Sequence, residues 1–278
     1  MGRMPSGLES AMNRVGTSIF AATLAAVPLA ATPAAADIKV DATYEISIAG
    51  WGIARANMNF TLDKSGYKAD IFMRPKGVAT IVTAVRTSVS VDGQATSRGE
   101  VYPSNYSVSA EEIARPVRVT MKMRSGNVTS LRAQPPLKDR PGRVPVTDAH
   151  RRGVVDPLSS GLIPAKAPDA RDACNHVMKI FDGWTRYDVK LYYKGRRKVE
   201  TQGYSGTGTV CGARWVPVAG HRPAKPEVQY LERNKALEVT VVPLPGAGYA
   251  IPYQVRIGTP NGEILIEPSA FSISGTGV

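Results

Sequence analysis

The sequence predicts a mainly β protein built on a single curved antiparallel sheet, a half-barrel or β-spiral, with one short helical segment. Apolar and polar residues alternate with period two through most of the chain after Asp37. Glycine-containing turns separate the alternating segments at short intervals. Neither half of the chain has enough strands to close on itself, so one continuous sheet is favoured over two lobes.

The N-terminal half opens with a strand in which Val40, Ala42, Tyr44, Ile46 and Ile48 share one face. Two further strands, 54–62 and 67–74, and a longer β-rich stretch, 78–91, follow it. Asp92-Gly93, directly after that stretch, predicts a tight hairpin. The alternation returns at Val117–Met123. The strands and turns predicted here are 40–48, the turn Gly50-Trp51-Gly52, 54–62, the turn Ser65-Gly66, 67–74, 78–91, 117–124 and 128–131.

A proline-rich loop and helical insertion at about 134–171 interrupts the strands. Thr147–Leu162 predicts a helix, because Thr147 is a suitable N-cap and Gly161 and Pro164 mark its end. Gly153 and Pro157 weaken this interpretation, and two short helices are the alternative. Strands resume at 177–180, 184–193, 209–218, 237–242, 251–257 and 263–266. Residues 37–278 therefore form one all-β domain.

Residues 1–36 are typical of a cleavable secretory signal. Arg3 and Arg14 precede an apolar run that is too short to span a membrane comfortably, and Pro28 interrupts that run. Small residues at 34 and 36 predict cleavage after Ala36. A retained membrane anchor is the less favoured alternative. We expect a periplasmic protein without a transmembrane anchor once the signal is removed.

The composition is strongly basic, with 35 Lys and Arg against 23 Asp and Glu and a formal net charge of +12. Export argues against nucleic acid as the partner. The expected partners are a lipid, a lipoprotein or an anionic envelope polymer, and a basic surface that serves only solubility is the alternative. Because an exported chain with two cysteines usually pairs them, we expect a Cys174–Cys211 disulfide.

Several motifs in the second half resemble a bacterial envelope family that is itself uncharacterised, the domain-of-unknown-function family 3108. They are Asp156-Pro157-Leu158-Ser159-Ser160, Ile180 to Asp188, Gly203-Tyr204-Ser205-Gly206, Val210-Cys211 and Arg214 to Arg222. The resemblance implies an exported β-sheet protein, similar in outline to the half-barrel carriers of lipoproteins and to β-spiral envelope proteins. It implies no assigned chemistry.

The residues do not predict an enzyme, a metal site or a cofactor. His150, His176 and His221 are not spaced as metal ligands. Asp182 and Asp188 are candidates for a glycosidase pair, but Asp182 precedes Gly183 and suits a turn better. A cell-wall hydrolase using His221 or Asp182 is the third and least favoured hypothesis.

The favoured hypothesis is a non-enzymatic role in envelope maintenance, with a lipid or other amphiphile bound in the concave face. Methionine adapts well to flexible acyl chains, although ordinary core packing explains the same residues. A structural or scaffolding role is the second hypothesis. The residues expected to contact acyl chains are Ile46, Met58, Phe60, Met121 and Met123, with Met73 and Phe72 as further candidates, and Arg118 and Lys122 are expected to contact head-group phosphates.

Overall fold

The computed structural model describes residues 37–77, 80, 85–111, 116–136 and 141–275. The predicted secretory signal at 1–36 lies outside these residues. The strands are β1 (Ile38–Ile48), β2 (Trp51–Asp63), β3 (Gly66–Pro75), β4 (Arg86–Ala95), β5 (Val101–Glu111), β6 (Val117–Arg124), β7 (Asn127–Gln134), β8 (Ile163–Pro164), β9 (Val177–Phe181), β10 (Arg186–Thr201), β11 (Tyr204–Ala219), β12 (Leu237–Leu244), β13 (Tyr249–Thr259) and β14 (Gly262–Ser274). The α-helix α1 (Pro226–Arg233) follows β11.

These strands form one antiparallel sheet in the order β7-β6-β5-β4-β3-β2-β1-β14-β13-β12-β11-β10-β9, and the two-residue β8 pairs with β13. The first and last strands, β1 and β14, pair in the middle of the sheet. The outermost strands, β7 and β9, do not pair with each other, so the sheet is not closed. The predicted mainly β fold with a single antiparallel sheet is confirmed.

A single helix over 147–162 is wrong, and the alternative of two short helices describes this region better. This region contains two short 3-10 helices, Asp148–Arg151 and Ser159–Gly161, whereas the α-helix α1 lies after β11. Between the two 3-10 helices, Val155 forms a parallel bridge with Ile180 of β9. Gly153, at φ 61°, lies in a left-handed conformation that an α-helix excludes. Both features interrupt the continuous helix that the capping pattern predicts.

The predicted hairpin at Asp92-Gly93 is also wrong, because both residues lie inside β4 at a bulge opposite β5. The chain turns later, where the Thr96 and Gly99 amides donate to the Glu100 and Thr96 carbonyls, both at 2.9 Å. Gly93 is opposite Tyr67 of β3, and a Cβ at Gly93 would lie 2.8 Å from the Tyr67 hydroxyl oxygen. The Tyr102 carbonyl oxygen of β5 would lie closer still, so the glycine permits the close approach of β5 at the bulge instead of marking a turn.

A segment from Val154 to Pro164, here called the strap, crosses the concave face of the sheet. Its Val154 amide donates to the Gly126 carbonyl at 2.8 Å, in the turn between β6 and β7. The Phe181 amide of β9 donates to the Val155 carbonyl at 2.9 Å. The strap then ends in β8, which pairs with the start of β13. Both ends of the strap are thus held by backbone hydrogen bonds.

The two ends of the sheet differ in burial. We call the end with the β1–β2 and β13–β14 turns the open end, and the end with the β2–β3, β6–β7 and β12–β13 turns the closed end. The inward side chains of β1 are buried at the closed end, where Ile38 is 0 % exposed and Val40 is 1 % exposed. Ile46 and Ile48, at the open end of the same strand, are only partly buried. The core therefore lies mainly at the closed end.

The predicted disulfide is present, joining Cys174 in a 3-10 turn before β9 to Cys211 in β11. It fastens the chain that leaves the strap to the sheet. Disulfides are typical of proteins outside the cytoplasm. Across the described ranges, no helix is long and apolar enough to cross a membrane.

Candidate ligand-binding site

An apolar cavity of about 310 Å³, here called cavity A, lies between the concave face of the sheet and the strap. Its volume is at the lower end of the range of about 300–1,000 Å³ that small-molecule sites occupy. The sheet contributes Tyr44, Ile46, Ala56, Met58, Phe60, Tyr67, Ala69, Ile71, Met73, Ile251, Pro252, Tyr253, Gln254, Val255 and Ile266, and the strap contributes Pro157, Leu158, Ser159, Gly161 and Leu162.

Two small side chains leave the space that cavity A occupies. Ala56 and Ala69 face inward on β2 and β3, between larger neighbours on the same face of each strand. Tyr44 closes one wall, and its hydroxyl donates to the Pro252 carbonyl at 2.9 Å. Burial raises the pKa of the Tyr44 hydroxyl, so that this wall stays uncharged. The cavity therefore suits an uncharged, apolar ligand group.

A second apolar cavity of about 350 Å³, cavity B, lies between the strap, α1 and strands β9–β13. Leu231 of α1 contributes to its wall, together with Leu237 and Ile257 at the open end. The two cavities share the wall residues Pro157, Gly161, Pro252 and Val255. Cavity B is lined further by Ser160, Ile163, Met178, Ile180, Val189, Leu191, Ala213, Trp215, Glu238, Val239 and Arg256.

Buried polar groups hold the strap in place between the cavities. Asp156 is 0 % exposed and accepts hydrogen bonds from the Leu158 and Ser159 amides, both at 2.9 Å, and from the Ser159 hydroxyl at 2.5 Å. The Ser159 hydroxyl also lies 2.6 Å from that of Tyr67 on β3. Burial raises the pKa of Asp156, although its hydrogen bonds with Ser159 and Leu158 act to lower it. The network links the strap to the sheet.

The structure brings together some of the predicted ligand-contacting residues. Ile46, Met58 and Phe60, as well as Met73, line cavity A. Phe72 does not, because it lies on the outer face of β3 between Ile71 and Met73 and is 42 % exposed.

The predicted residues on β6 do not line either cavity. Met121 and Met123 are buried in the core toward the closed end, at 0 % and 5 % exposure. Arg118 and Lys122 are exposed on the outer face of the same strand, because side chains of a strand alternate between its two faces. The methionines and these basic residues therefore cannot contact one ligand within the concave face.

Sequence reasoning missed the strap as a cavity wall and missed cavity B. The strap was predicted as helix, although Asp156-Pro157-Leu158-Ser159 carries the signal of an Asx turn, in which an aspartate accepts the amide two residues later. The inward set on β3, Tyr67, Ala69 and Ile71, was recoverable from its alternation. The pairing of cavity A with cavity B had no signal in the sequence, because their walls come from strands distant along the chain.

The residues considered for hydrolysis take part in turns and ion pairs. Asp182 accepts hydrogen bonds from the Trp184 amide at 2.8 Å and the Thr185 amide at 2.6 Å, as expected for a turn. Asp188 forms an ion pair with Arg186 at 2.5 Å. The His221 carbonyl accepts the Val144 amide at 2.9 Å. Among the residues that the structure describes, no three His, Cys, Asp or Glu side chains are grouped to hold a metal ion.

The family model described as "Protein of unknown function (DUF3108)" matches residues 43–267. The chain belongs to this family. A solved structure from Brucella abortus, a β-barrel-like protein of the domain of unknown function DUF1849, is similar at 8 % sequence identity, with 85 % of this chain and 98 % of that chain covered and a TM-score of 0.48. Comparison with curated proteins finds no match.

Proposed function

We propose that this protein binds a two-chain amphiphile without chemically changing it, with one acyl chain in cavity A and the other in cavity B, in the periplasm. The observation that carries the proposal is the pair of apolar cavities of about 310 and 350 Å³, separated only by the strap and its contacts. Partly buried apolar residues toward the open end line both cavities: Ile46 lines cavity A, Ile257 lines cavity B, and Val255 lines both.

Apolar burial supplies the driving force. Each buried methylene group contributes about 0.8 kcal/mol, so that a chain several carbons long binds without any specific hydrogen bond. Methionine side chains at Met58 and Met73 in cavity A and at Met178 in cavity B adapt to flexible chains. A polar head group then stays at the open end, since the lining offers few polar partners within the cavities.

A non-enzymatic role is supported by what the polar groups near the cavities do. The Ser159 hydroxyl, the one hydroxyl of the strap that lies in the wall of cavity A, is 1 % exposed and hydrogen-bonded to Asp156. It contributes to anchoring the strap and is not presented to a bound ligand. The disulfide and the predicted secretory signal support an extracytoplasmic location.

Displacement of a fluorescent fatty acid, cis-parinaric acid, tests the proposal. The competitors are phosphatidylglycerol, which has two chains, and lysophosphatidylglycerol, which has one. Ala56→Phe adds a ring in cavity A, Ala213→Phe adds one in cavity B, and Asn57→Phe adds the same ring on the outer face of β2 as the control. Thermal unfolding of each variant checks that it folds.

We expect each cavity variant to lower the affinity for the two-chain competitor by about tenfold, because one of its chains loses its buried site. The affinity for the one-chain competitor should fall by only about twofold, because the other cavity stays available to its chain. Equal losses for both competitors, or the same loss in Asn57→Phe, would contradict the two-chain assignment. Failure of every lipid to displace the probe would refute lipid binding and favour the scaffolding role. Mass spectrometry of a solvent extract of the purified protein identifies the natural ligand.

A further inference from the structure

Trp51 is placed unusually for a large apolar residue. It begins β2 immediately after the tight turn at Ala49 and Gly50, at the extreme of the open end, and it is 70 % exposed. The other exposed large hydrophobic residues of the described chain, such as Phe72 at 42 %, lie within strands away from this turn. Exposing an indole at a turn loses the apolar burial that a core position would give. Folding therefore gives no reason for an exposed indole at this position, whereas contact with a binding partner does.

The turn that carries Trp51 is braced by its neighbours. The Ala49 amide donates to the Glu263 carbonyl at 2.9 Å, which joins the β1–β2 turn to the β13–β14 turn. On the other side, the Lys76 amide donates to the Ile53 carbonyl at 2.9 Å. The backbone on both sides of Trp51 is thus hydrogen-bonded to adjacent strands. A braced tip loses little conformational entropy when it contacts a partner.

Basic residues also lie toward the open end of the sheet. Arg55 and Lys76 form ion pairs with Glu45 at 2.5 and 2.8 Å, and Arg256 forms one with Glu263 at 3.2 Å. Three further arginines lie toward the open end on β3, β4 and β6, namely Arg74, Arg86 and Arg118, and none of them forms an ion pair within 4.0 Å among the described residues, although Arg86 is in register with Glu111 of β5. The open end therefore presents an exposed indole together with an excess of basic over acidic side chains.

We propose that the open end docks on the surface of an anionic lipid bilayer, with Trp51 inserted at the level of the head groups and Arg74, Arg86 and Arg118 facing lipid phosphates. Tryptophan favours this level because its ring is apolar and its N–H needs a polar partner. Each nearby arginine adds about fivefold in affinity at an anionic surface, which corresponds to about 1 kcal/mol. The predicted role of Arg118 at phosphates is kept, but at a membrane surface instead of inside the concave face.

A bilayer fits these features better than a folded protein partner does. A stable protein interface needs a broad complementary area with an apolar centre, whereas the open end offers one projecting ring among cations. A bilayer surface accepts a single inserted ring and scattered positive charges without shape complementarity. Docking does not rest on the proposed lipid cargo, although it would turn the route to cavities A and B toward the membrane.

Vesicle sedimentation and tryptophan quenching test the docking with the full-length protein. The vesicles are phosphatidylcholine alone or phosphatidylcholine with phosphatidylglycerol, and a second set carries bromine on the acyl chains near the head group. Trp51, Trp184 and Trp215 are the three tryptophans of the chain, and the Trp184 indole N–H already donates to the Pro135 carbonyl at 2.8 Å. Quenching by brominated lipid that is seen in the wild type and lost in Trp51→Ala therefore comes from Trp51.

We expect binding to the anionic vesicles, quenching of the wild type, and loss of quenching in Trp51→Ala with about tenfold weaker sedimentation. Arg74→Glu combined with Arg118→Glu should abolish the preference for anionic vesicles. Tyr102→Ala, which removes a partly exposed ring beside the β4–β5 turn at the closed end, is the matched control and should bind as the wild type does.

Quenching that persists in Trp51→Ala, or binding that Trp51→Ala and Tyr102→Ala weaken equally, would overturn the proposal. Absence of wild-type quenching by the anionic brominated vesicles would overturn it too, whatever the N-terminal segment contributes to sedimentation. The probe-displacement assay is carried out without vesicles, so that failure of lipid-cargo binding and failure of docking are read separately.

Discussion

The closed and open ends are formed by the same strands, yet they do different work. At the closed end, Phe271 of β14 is 1 % exposed and packs edge-on against the rings of Tyr204 and Tyr253, with ring centroids 5.3 Å apart in both pairs. At the open end of the same strand, Ile266 is only partly buried and lines cavity A. One inward face is therefore core over one half of its length and cavity wall over the other.

This difference shows that the position of the strap sets the boundary between the core and the cavities. At the closed end, Ile163 of the strap pairs with Ala250, and the nearby Tyr249 hydroxyl donates to the Thr96 carbonyl at 2.6 Å across the concave face. Beyond Leu158 and Gly161, no described segment fills the corresponding space toward the open end. Stability should therefore be concentrated at the closed end, and binding at the open end.

The largest test is removal of the disulfide that fastens the chain leaving the strap. Cys174→Ser combined with Cys211→Ser should lower the free energy of unfolding by about 4 kcal/mol, because the crosslink closes a loop with a sequence separation of 37. In thermal unfolding this corresponds to a fall of about 10 °C in Tm. Treatment of the wild type with a reductant serves as the control, and an unchanged Tm in both would show that the closed end does not depend on the crosslink.

Loss of the hydrogen bonds that Asp156 accepts within the strap should have the next largest effect on stability. Asp156→Ala leaves the Leu158 and Ser159 amides and the Ser159 hydroxyl without their acceptor, and we expect a loss of about 3 kcal/mol in urea unfolding. Asp156→Asn keeps an oxygen that accepts the two amides and should cost less. Equal effects of the two substitutions would mean that these hydrogen bonds do not hold the strap.

A matched pair of methionines compares the two ends directly. Met121→Ala creates a cavity in the closed-end core and should cost about 3 kcal/mol, whereas Met58→Ala enlarges an existing cavity and should cost about 1 kcal/mol. Met58→Ala should also change the affinity for cis-parinaric acid, which Met121→Ala should leave unchanged. Equal destabilisation by both would remove the distinction between core and cavity wall.

The smallest expected effect is on the pH dependence of stability. Because burial raises the pKa of Asp156 above its usual 3.8, the folded state binds this proton more tightly than the unfolded state does. The contribution of Asp156 to stability is therefore fully present below pH 3.8 and falls as the pH rises through the folded pKa. The difference in unfolding free energy between the wild type and Asp156→Asn should shrink as the pH rises from this value. A difference that grows with pH would mean that the folded protein favours the carboxylate.

Particular residues mark how far sequence reasoning reached. Alternation correctly assigned Val119, Met121 and Met123 to one face of β6 and Arg118 and Lys122 to the other. The turn signal of Asp92-Gly93 was misleading, because the glycine is required at a bulge opposite β5 and not at a turn. Sequence reasoning also failed at the strap, because cap signals at Thr147 and Gly161 are local, whereas the bridge from Val155 to Ile180 is not.

The sequence by itself determined most of the strands and their faces, although not β5, together with the pairing of Cys174 with Cys211 and the family. These follow from local alternation, from the count of cysteines and from motifs that are contiguous in the chain. Only the tertiary structure decided that Met58 lines a cavity while Met121 is core, and that Trp51 projects from the open end. The physical reason is that a period of two specifies which face a side chain occupies, but not what lies across that face, and here the strap fills only one end.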